Sequence, residues 1–193
     1  MSEFSDIVEQ TFGDLARLQG FEMVEHGRTS ATFRSQVCEI TFSHDDQRSF
    51  EVFVGIRLLN RDLGLDFSID EIARATSVPM ELRPQGYAAQ GSEQARKLLE
   101  RVTSILSIYG QPLLRGDSEA WASLIRQRDS DCIRYEEETS LRQSLQRADE
   151  AWKARDYAKV AALLRTVRHL LGKSDLAKLD YSEKQLPSPQ NRH

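Results

Sequence analysis

Three places along the chain gather side chains capable of chemistry. His44-Asp45-Asp46 sets an imidazole beside two carboxylates, a combination of nitrogen and hard oxygen donors that metals accept. No further ligand stands nearby at a metal-site spacing. Aspartate is favoured in turns because its carboxylate bonds to neighbouring backbone amides, so a hairpin turn is the favoured reading and no metal is expected. Asp62, Asp66, Asp70 and Glu71 form the second group. Paired carboxylates divide acid and base roles when burial separates their pKa values, but no nucleophile or oxyanion donor accompanies these. Ser68 and Glu71 have the spacing of a capping box, which places a helix start there instead. The third group is Arg83 with Gly86 to Ser92, ahead of a helical pattern. Free amides at a helix start bind anions, which makes Arg83, Gly91 and Ser92 candidate anion ligands. The segment lacks the lysine and spacing of a phosphate loop, and a connection with a serine cap also explains it. No catalytic residue and no cofactor are expected.

The elements that carry these groups change period near residue 60. Phe4, Ile7, Val8, Phe12, Leu15 and Leu18 share one face of a first helix, and Gly20 is placed to end it. Phe21 to Val24, Thr29 to Arg34 and Val37 to Ser43 read as strands. The clearest strand follows, with Phe50, Val52, Val54, Ile56 and Leu58 facing away from Glu51, Phe53 and Arg57. Such alternation belongs to an antiparallel sheet with one packed and one wet side, and the connections are too short for parallel crossovers.

Beyond Pro79 to Gly91, read as a long connection, helical spacing takes over. Ser92 opens a helix through Tyr109, a second runs from Asp117 to Ile133, and a hairpin begins at Leu141. Its turn lies at Asp156-Tyr157, and a last helix carries Leu176 and Leu179. Glu136-Glu137-Glu138 reads as a solvated stretch; three acids alone do not establish mimicry of nucleic-acid phosphates.

Charge is uneven. Residues 1–80 hold 14 acids and 7 arginines, whereas residues 81–193 hold 16 acids and 19 bases. An acidic front half argues against nucleic acid as a ligand and suits a basic protein partner. No apolar run approaches the ~18 residues of a membrane span, and the acidic N-terminus lacks the regions of a signal peptide. Cys38 and Cys132 lie within apolar patterns, so reduced, buried thiols and a cytoplasmic location are expected.

Ala148, Trp152, Asp156-Tyr157, Val160, Leu164 and Val167 resemble the packing positions of one tetratricopeptide unit, a resemblance that implies a protein-binding surface. Ser49 to Val54, Tyr109-Gly110 with Leu114 and Gly116-Asp117, and Lys178-Leu179 with Tyr181 resemble a loose class of uncharacterised bacterial α+β proteins. Some proteins of that look serve as immunity partners of secreted toxins.

The expected fold is α+β: an N-terminal helix on a four-stranded antiparallel sheet, then a mainly helical C-terminal half. Residues 1–80 are expected as one unit, 92–186 as a second, and 187–193 as a tail, with one compact domain as the alternative. The expected function is a non-enzymatic protein-binding module in which Asp45, Asp46, Asp62 and Asp66 meet a basic partner. Toxin immunity is its most concrete form. The alternatives are a small-anion-binding protein or hydrolase with a pocket between sheet and helices, and a homo-oligomeric scaffold.

Overall fold

The computed structural model describes residues 3–59 and 66–186. Asp62 and the tail 187–193 lie outside them. The chain is α+β and divides into two compact units, residues 1–128 and 129–193.

The first unit opens with α1 (Phe4–Leu18). Gly20, at φ +73°, gives the left-handed turn that ends it. The amides of Gly20 and Phe21 then donate to Arg17 and Ala16, which satisfies two carbonyls that the helix leaves open. Among the described residues five strands follow in sheet order β1-β2-β3-β4-β5, all antiparallel: β1 (Glu22–His26), β2 (Ser30–Arg34), β3 (Cys38–His44), β4 (Val52–Leu58) and β5 (Phe67–Ser68). The fifth strand is the difference from the expected four. It is two residues long, too short for an alternating pattern to show, and it pairs Phe67 with Ile56 beside β4.

The alternation settles which face is packed. Phe33, Ile40, Phe42, Val54 and Ile56 are buried with Phe12 of α1. Phe12 meets Phe33 and Phe42 with ring centroids 5.1 and 5.0 Å apart, an arrangement in which aromatic edges approach aromatic faces. On the other face Arg34, Glu39 and Arg57 lie directly opposite one another on β2, β3 and β4.

Helix α2 (Ile69–Ala75) starts at the Ser68–Glu71 capping box, as the spacing predicts. Helix α3 (Ser92–Ile108) packs along α1, where Arg96 donates to Gln10 at 2.7 Å. The connection between them, expected as a boundary, therefore lies inside the first unit. It is also tied to the sheet, since Val52 donates to Tyr87 at 2.8 Å and Ala89 donates to Phe50 at 2.7 Å. A short α4 (Gln111–Leu114) precedes α5 (Ser118–Lys153), which Asp117 caps by accepting from Glu119 and Ala120.

Helix α5 is one 36-residue helix rather than two. Residues 134–140 contain no glycine or proline to stop it. The second unit holds its C-terminal part with α6 (Tyr157–Thr166), capped by Asp156, and α7 (Lys173–Lys184). Ala148, Ala151, Val160, Ala161, Leu164 and Leu179 make its core.

Candidate functional site

The two acids of the 44–51 turn are engaged within the fold. Asp45 accepts from the amides of Gln47, Arg48 and Ser49 at 3.1 to 3.2 Å, and those donors hold its carboxyl below the usual range. Asp46 takes two hydrogen bonds from Arg28, at 2.5 and 3.4 Å, and these with the guanidinium charge lower its pKa as well. Asp66 lies 3.5 Å from Arg57. The candidate partner-binding acids within the described residues thus each have an intramolecular partner.

His44 is half-buried, lines a cavity and is held by its neighbours. Its Nε2 lies 2.9 Å from the carbonyl of Ala89, and its ring stacks with Phe4 at 5.2 Å. Among the described residues, no group of three or more His, Cys, Asp or Glu side chains is placed to hold a metal ion.

The anion candidates separate. Arg83 donates from Nε to the carbonyl of Val78 at 2.9 Å, whereas Gly91 and Ser92 border a cavity of about 400 Å³ where α1, the β3–β4 turn and the start of α3 meet. Arg83 is not among the residues that line it. Phe50, on the cavity wall, has φ +57°, a conformation that costs a bulky residue energy. Its carbonyl bond to Ala89 fixes the wall there.

The wet face of the sheet carries an ionic row. Arg34 donates from Nε and Nη2 to Glu39 Oε2 at 2.8 and 2.5 Å, and Arg57 donates to Oε1 at 2.5 Å. Glu39 is only 4% exposed. Burial pushes its pKa up, but the hydrogen bonds and charges of the two arginines outweigh that and leave it lowered. Phe53 lies across Gly55 on the same face: a Cβ on Gly55 would stand 2.7 Å from its ring.

Residues 129–138 of α5 are different. Asp129, Asp131, Glu136, Glu137 and Glu138 stand against Arg134. Apart from Asp131, every residue in this stretch is exposed. Ile133 and Tyr135 are 58% and 69% exposed. Among the described residues no base lies within ion-pairing distance of Glu136 or Glu138, and the nearest to Glu137 is His169 at 4.0 Å. The apolar pattern predicts a buried Cys132, yet Cys132 is exposed, as is its neighbour Ile133. The available signal was the missing second apolar row: between Ile133 and Leu141 only Tyr135 is large and apolar, and no helical stripe can be drawn.

In the second unit Trp152, Tyr157 and Tyr181 contact one another pairwise at 5.4 to 5.6 Å, edge to face. Lys178 reaches Asp149 at 2.6 Å and lies 5.8 Å from the Trp152 ring. Comparison with protein-family models, with curated proteins and with solved structures finds no match to this chain.

Proposed function

We propose that this protein is a non-enzymatic protein-binding module that engages a basic partner through residues 129–138 of α5. The observation that carries the reading is the combination there of exposed Ile133 and Tyr135 with Glu136 and Glu138, which among the described residues have no base within ion-pairing distance. A helix stretch that lies almost wholly in water gains little from burial, and helix propensity alone supports it weakly. A partner that covers Ile133 and Tyr135 adds apolar burial, while Glu136, Glu137 and Glu138 steer and orient a positively charged surface. Aromatic anchors ringed by charge are the usual composition of a binding centre. The acids at Asp45, Asp46 and Asp66 contribute less, because each already has a donor or cation of its own. Blocking a basic effector, as an immunity protein does, is the narrower form of this reading, and it rests on the sequence resemblance alone.

The test is binding of the purified partner recovered from the native host, measured as salt rises from about 50 to 500 mM, a range over which the Debye length shrinks from roughly 14 to 4 Å. The reading requires Kd to weaken steeply over that range. A salt-independent Kd would remove the electrostatic mechanism, and failure to recover any partner at low salt would remove the reading.

A further inference from the structure

The cavity between α1, the β3–β4 turn and the start of α3 has no part in the proposed partner surface, and its lining is chemically mixed. Phe4, Ile7, Phe50 and Ala95 are its apolar members. Its ionisable members are Arg28 and Asp46, joined by hydrogen bonds, with Glu3 and His44. Two carboxylates stand beside one guanidinium and one imidazole, so the lining offers partners to charges of both signs and is not built for a simple anion. They suit a ligand that brings one charge of each sign.

We propose that this cavity binds a small zwitterion with an apolar body, of the class of an apolar α-amino acid. The guanidinium of Arg28 takes the carboxylate. Its bonds to Asp46 use Nη1 and Nη2, and a guanidinium has further N–H donors for a second acceptor. Asp46 and Glu3 take the ammonium. The apolar side chain lies on Phe4, Ile7 and Ala95, which are otherwise buried in the core and give a rigid floor. A volume of about 400 Å³ falls at the small end of the range of about 300–1,000 Å³ for ligand cavities. Gly91 supplies part of the room: an added Cβ there would meet nothing within 4 Å. Its backbone is extended, at φ −177° and ψ 170°, so a larger residue at this border of the cavity fits without backbone strain.

The experiment titrates phenylalanine and leucine into the full chain, followed by calorimetry and by backbone amide NMR. N-acetylphenylalanine, which lacks the ammonium, and phenylalaninamide, which lacks the carboxylate, are run beside them. The proposal expects millimolar or tighter binding of at least one amino acid, with shifts at Gly91, Ser92 and Arg28, and at least tenfold weaker binding of both blocked forms. Gly91→Leu keeps every charge and adds bulk at the cavity border, so it should weaken binding at least tenfold while the protein stays folded. No heat and no shift with either amino acid would overturn the proposal. So would equal binding of the blocked forms, or full binding by Gly91→Leu.

Discussion

Arg28 holds Asp46 across 18 residues of chain, with Nη1 2.5 Å from one carboxylate oxygen. That pair explains why a run of acids in the sequence is not an acidic surface in the fold. Arg28 lies in the β1–β2 connection and Asp46 in the turn after β3, so antiparallel pairing of β2 with β3 brings them to the same end of the sheet. The same logic applies at Asp66, which approaches Arg57 from the residue just before β5.

The ionic row on the wet face should make stability depend on acid. Glu39 in that row and Glu71 on α2 both have lowered pKa values in the folded chain: burial raises each, and the hydrogen bonds and charges of their arginines, joined at Glu71 by the Ser68 amide and hydroxyl, outweigh it. A lowered folded value means that the contribution is complete above the unfolded glutamate value of about 4.3 and is lost as pH falls through the folded value. Urea unfolding followed from pH 7 to pH 3 should show that loss below about pH 4.3. Glu39→Gln and Glu71→Gln should each flatten the curve; an unchanged slope in both would exclude these groups.

Arg128 forks onto Glu71, with Nε 2.6 Å from Oε1 and Nη2 3.0 Å from Oε2, and its guanidinium covers Phe67 at 3.6 Å. Both side chains are mostly buried. Arg128→Ala should cost about 2–4 kcal/mol by leaving a largely buried carboxylate without its partner. Arg128→Lys should recover less than half of that, because an ammonium cannot make the fork. Chemical denaturation of the two variants checks both values.

Gly55 exists for close approach rather than for a turn. A methyl group there meets the Phe53 ring at 2.7 to 2.8 Å and Asp66 Cβ at 2.9 Å. Gly55→Val should destabilise by about 1–3 kcal/mol through overpacking. Phe53→Ala in the same chain should return part of the loss, since that ring is half in solvent and is the nearest obstacle. A double variant no more stable than Gly55→Val would contradict this.

The two cysteines should differ sharply. Burial pushes the Cys38 thiol up to about 11, only partly offset by the Ser35 hydroxyl, whereas Cys132 is exposed on α5. At pH 8 a thiol reagent should label Cys132 alone in the native protein, and Cys38 only after unfolding. A bulky label on Cys132, beside Ile133, should also weaken partner binding.

Much of this architecture is legible in the residues. Strand alternation places Phe33, Ile40, Phe42, Val54 and Ile56 on one face, and the caps at Ser68 and Asp156 fall where their spacing puts them. The strand Phe67–Ser68 is not legible, because two residues carry no period. The continuity of α5 is hidden for a different reason. Its middle lacks an apolar stripe, and periodicity detects burial rather than helix. The site is the least legible part. Acids at Asp45 and Asp46 look available until the fold delivers backbone amides and Arg28 to them. Gly91 and Ser92 do border a cavity, but Arg83 turns to the carbonyl of Val78, a partner no local spacing reveals.

The most direct measurement compares two charge-neutral variants for binding of the purified basic partner at low salt: Glu136→Gln/Glu137→Gln/Glu138→Gln on α5, and Asp46→Asn/Asp66→Asn on the sheet. The first should bind at least tenfold more weakly, a loss of roughly 1.4 kcal/mol or more, with a shallower salt dependence, and the second should stay within about twofold of the parent. Undiminished binding by the α5 variant, or a larger loss in the sheet variant, would contradict it.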